Sequence, residues 1–263
     1  MRATLTVTIH PTAVVEEGVE LEPGVIIGPY CIVRGPVTIG RGTVLRSHVV
    51  IQGPVTLGEA NEVYPFVTLG LEPQDVKYSG EDTRVRIGDQ NIIREYVSIH
   101  RGTLDGRGET RVGSHNFIMA YAHIAHDCII GDHVVLTNAA SLAGHCVVED
   151  HAVIAAFSGV HQFCRIGKYS FIGAFSAVPQ DVAPFVHVVG NRARVYGVNT
   201  VGLKRAGFSS ERINRIRKAV RILFHSRLPI PDALEKVRSL FPDDPDINDL
   251  CRFVETSERG VVQ

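Results

Sequence analysis

Residues 112–142 read VGSHNFIMAYAHIAHDCIIGDHVVLTNAASL. An aliphatic residue recurs at every sixth position of this stretch, beginning with Val112, Ile118 and Ile124, and the period continues as far as Val178. A helix requires apolar recurrence near 3.6 residues and a flat strand requires alternation at two, so this period indicates a hexapeptide parallel β-helix. Three hexapeptides then complete one triangular coil, and side chains eighteen residues apart stack in columns about 4.8 Å apart.

The same period extends toward the amino terminus, from Ile9 to Leu69. We therefore expect a mainly β fold, a left-handed parallel β-helix over residues 1–190. The repeat breaks over residues 72–84, which are polar and should leave the coil as a loop. A shorter excursion follows near Gly102, Gly106 and Gly108, where the phase slips. Loops that interrupt a regular solenoid are more often functional than neutral.

The six-residue period ends near Gln180, and helical spacing replaces it. Apolar residues at intervals of three and four between Ile213 and Phe224 predict a helix capped by Ser209 or Ser210 and closed by Pro229 and Pro231. Two further helices are expected around Leu234 and Leu250. Residues 191–263 are thus predicted to form a small C-terminal helical domain.

Composition excludes several classes of protein. The 263 residues carry a formal net charge of −1, without an apolar run of about 18 residues or a signal peptide at the start. We expect a cytoplasmic protein without stable membrane insertion. Three of the five cysteines, Cys128, Cys146 and Cys164, are spaced to stack inside the coil as packed thiols, and no pair has metal-site spacing.

Basic residues cluster at the start of the helical domain, with Glu211 as the only acidic residue between positions 204 and 227. The cluster includes Lys204, Arg205, Arg212, Arg215, Arg217, Lys218 and Arg221. Such a run is either a solvated helix face or a docking surface for an acidic partner. Nucleic acid is not expected, since few aromatic residues interleave with the charges.

Six of the twelve histidines fall between His123 and His161, and four of them, His123, His126, His145 and His161, lie in turns and flanks around the core positions Ile124, Leu142 and Val160. The eighteen-residue register places His126 beneath Gly144 and Gln162, and Asp127 beneath His145. That column suits acyl transfer to a hydroxyl, because an imidazole can act as general base, a carboxylate can fix its tautomer, and a glycine N–H can stabilise the oxyanion. The alternatives are histidines that only bond between layers, or a zinc site like that of the γ-class carbonic anhydrases, whose histidine spacing differs.

The chain resembles the cytosolic UDP-N-acetylglucosamine acyltransferases that begin lipid A synthesis. The resemblance covers nearly the whole chain and rests on six motifs: 99–103 (IHRGT), 123–128 (HIAHDC), 142–145 (LAGH), 161–164 (HQFC), 197–199 (GVN) and 202–205 (GLKR). It implies transfer of a 3-hydroxyacyl group from acyl carrier protein to the glucosamine 3-hydroxyl of UDP-N-acetylglucosamine, with no cofactor or metal. In this family His126 is the base, Asp127 its support and Gly144 the oxyanion donor.

The resemblance also implies roles for other positions. Substrate-contacting residues would be Asp75, Lys77, His123, His145, His161, Gln162, Asn199 and Arg205, although His123 and His161 could equally brace a subunit contact. The resemblance further implies a homotrimer with active sites between subunits, and acyl carrier protein as the acidic partner of the basic segment of residues 204–221.

Four positions depart from the family pattern. Ala174 stands where members using a fourteen-carbon chain have glycine, and Arg192 stands where histidine is common. Since one added methyl in a closed pocket disfavours a longer chain by about 1–3 kcal/mol, these two acyl-chain ruler positions predict a somewhat shorter chain. Val201 and Ala206 replace a glutamate and an arginine found in some members. A 3-amino UDP-sugar acceptor, which would make the reaction an N-acylation, therefore remains an alternative. A non-catalytic scaffold is the third alternative.

Overall fold

Short strands joined by tight turns make up most of the protein, as the six-residue period predicts; a computed structural model describes residues 6–263. The first half of the strands are β1 (Thr8–Ile9), β2 (Val14–Val15), β3 (Val19–Leu21), β4 (Ile26–Ile27), β5 (Ile32–Arg34), β6 (Val37–Ile39), β7 (Val44–Leu45), β8 (Val50–Gln52), β9 (Val55–Leu57), β10 (Glu62–Val63), β11 (Thr68–Leu71), β12 (Arg84–Ile87), β13 (Ile92–Ile93) and β14 (Ser98–His100). The second half are β15 (Glu109–Val112), β16 (Phe117–Ile118), β17 (His123–Ile124), β18 (Ile129–Ile130), β19 (Val135–Leu136), β20 (Ser141–Leu142), β21 (Val147–Val148), β22 (Val153–Ile154), β23 (Gly159–Val160), β24 (Arg165–Ile166), β25 (Phe171–Ile172), β26 (Ala177–Val178), β27 (Val186–Val189) and β28 (Arg194–Val198).

The strands form three sheets, one on each side of a triangular coil. Sheet A has the order β1-β4-β7-β10-β13-β16-β19-β22-β25-β27-β28, sheet B has β2-β5-β8-β11-β14-β17-β20-β23-β26, and sheet C has β3-β6-β9-β12-β15-β18-β21-β24. Described pairings between strands are parallel except β27 with β28, which form an antiparallel hairpin. The fold class is therefore the parallel β-helix expected from the sequence.

From β1 to β26 the eighteen-residue register holds wherever the coil is uninterrupted, whereas at β27 the spacing shortens to sixteen, since Phe171 pairs with His187. Phe117 pairs with Val135, which pairs with Val153. The spacing lengthens twice: Glu62 pairs with Ile92, and Ser98 pairs with His123. The extra residues leave the coil as loop 72–83 and loop 101–108, at the two places where the sequence predicts excursions.

The interior of the coil is filled by the repeated aliphatic residues, with fully buried Ile118, Ile124 and Leu136 as examples. The cysteines are free and buried. Burial raises the pKa of Cys164 to about 12, which keeps that thiol protonated and unreactive at neutral pH. The prediction of packed thiols is confirmed.

Four helices follow the sheets: α1 (Thr200–Arg205), α2 (Ser210–His225), α3 (Ile230–Leu240) and α4 (Pro245–Glu255). Ser209 caps α2, since its side chain accepts a bond from the Arg212 N–H. The sequence reading missed α1, whose six residues are too few for a period to show. It also assigned Pro229 and Pro231 to the end of a helix, whereas they begin α3.

The β-helix passes into the helical part of the chain through the β27–β28 hairpin. The predicted border at residue 190 falls in the turn of the β27–β28 hairpin, and the first helix begins at Thr200. Residues 1–5 of the predicted solenoid lie outside the described residues. The C-terminal tail returns to the coil, where Val261 pairs with Asp181. Over residues 6–263, the helices are all too short or too polar to cross a bilayer.

Candidate active site

The central feature is a column of turns that connects sheet B to sheet C. It brings His126 directly against Gly144: a Cβ built on Gly144 would lie 2.5 Å from Cε1 and 2.7 Å from Nε2 of the imidazole. The His145 N–H donates to the His126 carbonyl at 3.0 Å, which locks the two layers in this register. The structure thus brings together the imidazole and the glycine backbone that the eighteen-residue spacing predicts.

Asp127 orients the imidazole of His126. Its Oδ2 lies 2.9 Å from His126 Nδ1, and the carboxyl group is fully buried. Because a carboxylate only accepts hydrogen bonds, Nδ1 must carry the proton, which leaves the lone pair of a neutral ring on Nε2. The pair therefore presents a base on the side facing Gly144.

Loop 101–108 surrounds the Asp127 carboxylate, a role that the sequence reading did not assign. Thr103 donates from its hydroxyl (2.7 Å) and its N–H (3.1 Å), and the Arg107 N–H donates at 2.7 Å. Gly106 permits this approach, since a Cβ there would lie 2.3 Å from the Asp127 Cγ. The signal available in the sequence was the run of glycines where the repeat slips.

These donors keep Asp127 ionised. Burial by itself raises the pKa of this carboxyl, but the bonds from Thr103, His126 and Arg107 together outweigh burial and hold the pKa below its ordinary value. The site therefore retains a full negative charge beside His126 at neutral pH.

The Gly144 N–H is available to a ligand. Within residues 6–263 it has no hydrogen-bond acceptor, while its neighbours His145 and Ala143 donate to carbonyls of adjacent coils. Gly144 is buried against the His126 ring, so this unpaired N–H lies next to the imidazole. An unoccupied amide next to a base is the arrangement that stabilises a developing oxyanion.

His145 closes one side of the site. Its ring meets that of His126 edge-on, with centroids 5.0 Å apart, and stacks on Phe163 at 4.3 Å. Its Nδ1 lies 4.0 Å from Asp127 Oδ2. Burial lowers the pKa of His145 and outweighs the opposing effect of Asp127, which favours a neutral ring.

On the other side lie His123 and His100. The His123 Nδ1 is 2.7 Å from the Ser98 hydroxyl, and burial, followed by the proximity of His126, lowers the pKa of His123. Burial lowers the pKa of His100 to about 4. The motif 99–103 includes His100 but assigned it no role, and Ser98 lies outside the motifs. Both imidazoles are uncharged at neutral pH, so they offer hydrogen bonds without positive charge.

An open apolar groove of about 580 Å³ runs along sheet B from His123. Its floor is a column of small residues, Ser141, Gly159 and Ala177, paired in register above His123. Arg192 lines the far end. Ala174, the second predicted ruler residue, is exposed on the turn before β26 and does not line the groove within one chain.

Loop 72–83 holds the predicted substrate residues Asp75 and Lys77. The Asp75 carboxylate accepts the Lys77 N–H at 3.0 Å, and the Lys77 ammonium lies 3.7 Å from Asp105 in the second loop. Arg101 anchors the loop, since its buried guanidinium donates to Tyr78 Oη at 3.0 Å. Loop 72–83 therefore contacts loop 101–108, which surrounds the Asp127 carboxylate.

The remaining predicted substrate residues occupy two places. His161 lines the apolar groove, and Gln162 is exposed on the turn beside it. Asn199 and Arg205 lie at a separate cavity of about 440 Å³ on sheet A. The Asn199 side chain caps α1 and donates to the Tyr169 carbonyl. A single chain does not bring Asn199 and Arg205 to His126.

Some residues of the basic segment form ion pairs with carboxylates, and others do not. Arg212 forms a two-bond ion pair with Asp246, at 2.5 and 2.8 Å, and Arg215 pairs with Asp244 at 2.7 Å. These arginines hold α2 against the start of α4. Arg217 bonds only uncharged groups, and Lys218 lies 5.6 Å from the Phe241 ring centroid.

Three further basic residues of the segment have no carboxylate within 4.0 Å in the described part of the chain, namely Lys204, Arg205 and Arg221. Together with Arg217 and Lys218 they leave five basic side chains without an acidic partner on the exposed surface.

His126, Asp127 and His145 also form the one group, among residues 6–263, whose potential metal-ligand atoms lie within 4.8 Å of one another. The Asp127 oxygens already accept bonds from Thr103, Arg107 and His126. A zinc ligand set of two histidines and one carboxylate would compete with those bonds.

The coil and its histidine column place the chain among the hexapeptide-repeat acyltransferases. The model of the bacterial transferase hexapeptide (six repeats) matches residues 18–53 and 109–144, and that of UDP-N-acetylglucosamine O-acyltransferase, domain 2, matches residues 181–262.

Individual relatives narrow the assignment. Acyl-[acyl-carrier-protein]–UDP-N-acetylglucosamine O-acyltransferases of Thermodesulfovibrio yellowstonii and Syntrophobacter fumaroxidans are 51% and 50% identical, over 96% and 97% of this chain and 98% and 99% of theirs. The structure of LpxA from Acinetobacter baumannii superposes with a TM-score of 0.94 at 42% identity, covering 97% of this chain and 99% of that one. The chain belongs to the acyl-[acyl-carrier-protein]–UDP-N-acetylglucosamine O-acyltransferase family, and it is an acyltransferase.

Proposed function

We propose that the protein transfers a 3-hydroxyacyl group from acyl carrier protein to the glucosamine 3-hydroxyl of UDP-N-acetylglucosamine, the first step of lipid A synthesis. The observation that carries the proposal is the His126 imidazole, oriented by Asp127 and seated against the bare amide of Gly144. The names of the relatives supply the two substrates. The cytoplasmic location remains a prediction.

The proposed reaction needs one base and one oxyanion donor. His126 Nε2 removes the proton of the sugar hydroxyl as its oxygen attacks the thioester carbonyl carbon. The Gly144 N–H donates to the oxyanion of the tetrahedral intermediate. When the intermediate collapses, the carbon–sulfur bond breaks, and the imidazolium returns its proton to the departing thiolate. The Asp127 carboxylate stabilises the imidazolium between these two steps.

His126→Ala tests this proposal. We expect acyl transfer to fall by roughly 10²–10⁴-fold with little change in melting temperature, because His126 makes one side-chain bond within the described chain. His133→Ala is a matched control: His133 occupies a turn of another column and stacks on His115 and His151, away from the site. Full activity of His126→Ala would favour a non-catalytic scaffold. Since the proposal requires no metal, activity should survive dialysis against a chelator.

We also propose an acyl chain somewhat shorter than fourteen carbons. Arg192 supports this, because its bulky side chain lines the far end of the groove. Turnover of a series of hydroxyacyl carrier proteins checks the proposal, and best turnover at fourteen or more carbons would contradict it. The same assay with a 3-amino UDP-sugar separates O-acylation from N-acylation. N-acylation stays an alternative because the exposed Val201, which replaces a glutamate, lines the same cavity as Asn199.

A homotrimer is the assembly we propose. An exposed aromatic row runs along one corner of the coil, with successive ring centroids 4.8–5.0 Å apart. It consists of Tyr30, His48, Phe66, Tyr96 and Tyr121. A continuous apolar row of this kind suits burial between subunits. A second subunit would also supply Asn199 and Arg205 to the site. The molar mass in solution, by light scattering, tests the assembly.

A further inference from the structure

A second cavity, of about 490 Å³, lies across the turn column from the apolar groove. The groove lies on sheet B, whereas this cavity is formed by sheet C and the C-terminal tail. It is lined by Arg107, His145, Val147, Phe163, Arg165, Asp181, Thr256, Glu258 and Arg259. His145 and Phe163 therefore connect it to the active site.

Three arginines, Arg107, Arg165 and Arg259, give the cavity its charge, and we call it the arginine cavity. No carboxylate of the described chain lies within 4.0 Å of their guanidinium groups. Arg107 donates to the Asp127 carbonyl at 2.6 Å, and Arg165 donates to the Thr256 carbonyl at 3.0 Å. These acceptors are neutral carbonyls, while negative charge lies close by on Asp127, whose carboxylate accepts the Arg107 N–H, and on Glu149 beside Arg165.

Arg259 has a donor to spare. Its Nη2 donates to the Pro179 carbonyl at 3.3 Å and lies 3.2 Å from His161 Nδ1, but its Nε is buried without a hydrogen-bond partner. A guanidinium carries five N–H donors in a planar fork that matches two oxygens of a phosphate or carboxylate. At the cavity, Arg107 and Arg165 each use only Nη1 in side-chain hydrogen bonds, so within the described chain their Nε and Nη2 groups remain without an acceptor.

Two acidic residues face these arginines. Asp181 is buried and already accepts the Arg165 N–H and the Ser257 hydroxyl, both at 2.8 Å. Glu258 is exposed. Among the residues that line the cavity, three arginines therefore face two acids, and Asp181 is occupied by its own bonds.

The tail that forms the wall is fixed to the coil. Asp181 donates its N–H to the Gly260 carbonyl at 3.0 Å, and Val262 donates its N–H to the Asp181 carbonyl at 2.8 Å. Arg259 directly precedes Gly260, and its own carbonyl accepts the Gln180 side-chain N–H at 3.1 Å, so it is held at the cavity. The site therefore uses residues from three distant parts of the chain on one rigid frame.

We propose that the arginine cavity binds a phosphate group of a substrate, an inference that rests on the proposed function. In the proposed reaction the acyl chain lies along sheet B and its carbonyl lies at His126. The parts of both substrates that extend from the reacting atoms away from sheet B would then pass the arginine cavity. Both substrates carry phosphate: the donor as the phosphodiester of its phosphopantetheine arm, and the acceptor as the diphosphate of the UDP-sugar. Arginine binds either through paired N–H bonds.

Arg165→Gln tests the proposal through a comparison of its effects on KM for the acyl donor and on KM for the UDP-sugar. We compare an acylated phosphopantetheine with the same acyl pantetheine lacking phosphate, and measure KM for UDP-N-acetylglucosamine in parallel. Loss of a charged hydrogen bond should raise KM by about ten- to a hundredfold for the substrate whose phosphate is bound. If that is the donor, the variant erases the advantage of the phosphorylated thioester over the unphosphorylated one. If only KM for the UDP-sugar rises, the phosphate is that of the nucleotide.

Arg111→Gln is the matched control, because Arg111 lies on the same sheet three coils away and pairs with Glu109 at 2.7 Å. Since Arg165 also bonds Thr256, melting temperature is measured, and Arg259→Gln and Arg165→Lys repeat the test. Equilibrium binding of phosphopantetheine and of UDP, without turnover, separates this inference from the proposed function. Loss of such binding in Arg165→Gln supports the cavity even if no transfer is observed. Unchanged binding and unchanged KM in both glutamine variants overturn it.

Discussion

Replacing Gly144 by alanine tests the contact on which the site depends. The new Cβ would lie 2.5 Å from His126 Cε1, whereas carbon atoms in contact lie about 3.5 Å apart. The imidazole must therefore retreat by about 1 Å. It cannot do so freely, because its Nδ1 is held 2.9 Å from the buried Asp127 carboxylate.

A displacement of this size between reacting groups lowers turnover by roughly 100-fold. The backbone N–H is retained, and φ at position 144 is not in the left-handed region, so the fold should tolerate the alanine. We expect kcat for acyl transfer to fall about 100-fold with a small change in melting temperature, measured by steady-state kinetics and calorimetry.

A double-mutant cycle isolates the cause. If alanine at position 144 acts through the imidazole, the variant carrying both Gly144→Ala and His126→Ala should be no slower than His126→Ala alone. Turnover of Gly144→Ala within threefold of the unaltered protein would refute the reasoning, and so would full additivity of the two losses.

Two further predictions concern charged groups. Thr103→Val removes the hydroxyl donor of Asp127, so the carboxyl pKa, lowered in the folded protein, should rise toward its ordinary value. The stability contributed by an ionised carboxyl is present above its unfolded pKa and is lost as pH falls through its folded pKa. In the variant this loss of stability should therefore begin at higher pH. The acid limb of the kcat/KM profile should shift to higher pH in the same way. Superimposable profiles would contradict this role for Thr103. Arg212→Ala leaves the buried Asp246 without its ion pair and should lower the free energy of unfolding by about 1–3 kcal/mol, measured by urea denaturation, whereas Arg217→Ala, whose guanidinium bonds only uncharged groups, should leave it nearly unchanged.

The sequence by itself determined the parts that depend on a local period. An aliphatic residue at every sixth position specified the coil, and the constant coil length placed His126 under Gly144. The breaks in the same period located both loops. These features were predictable because each repeats one short rule, and stacking turns a fixed spacing into a fixed neighbour.

Only the tertiary structure decided what approaches the column from outside it. Thr103 and Arg107 reach Asp127 because loop 101–108 folds back, and Arg259 reaches the arginine cavity because the tail pairs with Asp181. Likewise Arg212, which the sequence placed on a docking surface, pairs with Asp246 thirty-four residues away. No period links such residues, since loop and tail conformations depend on contacts between segments distant in the chain.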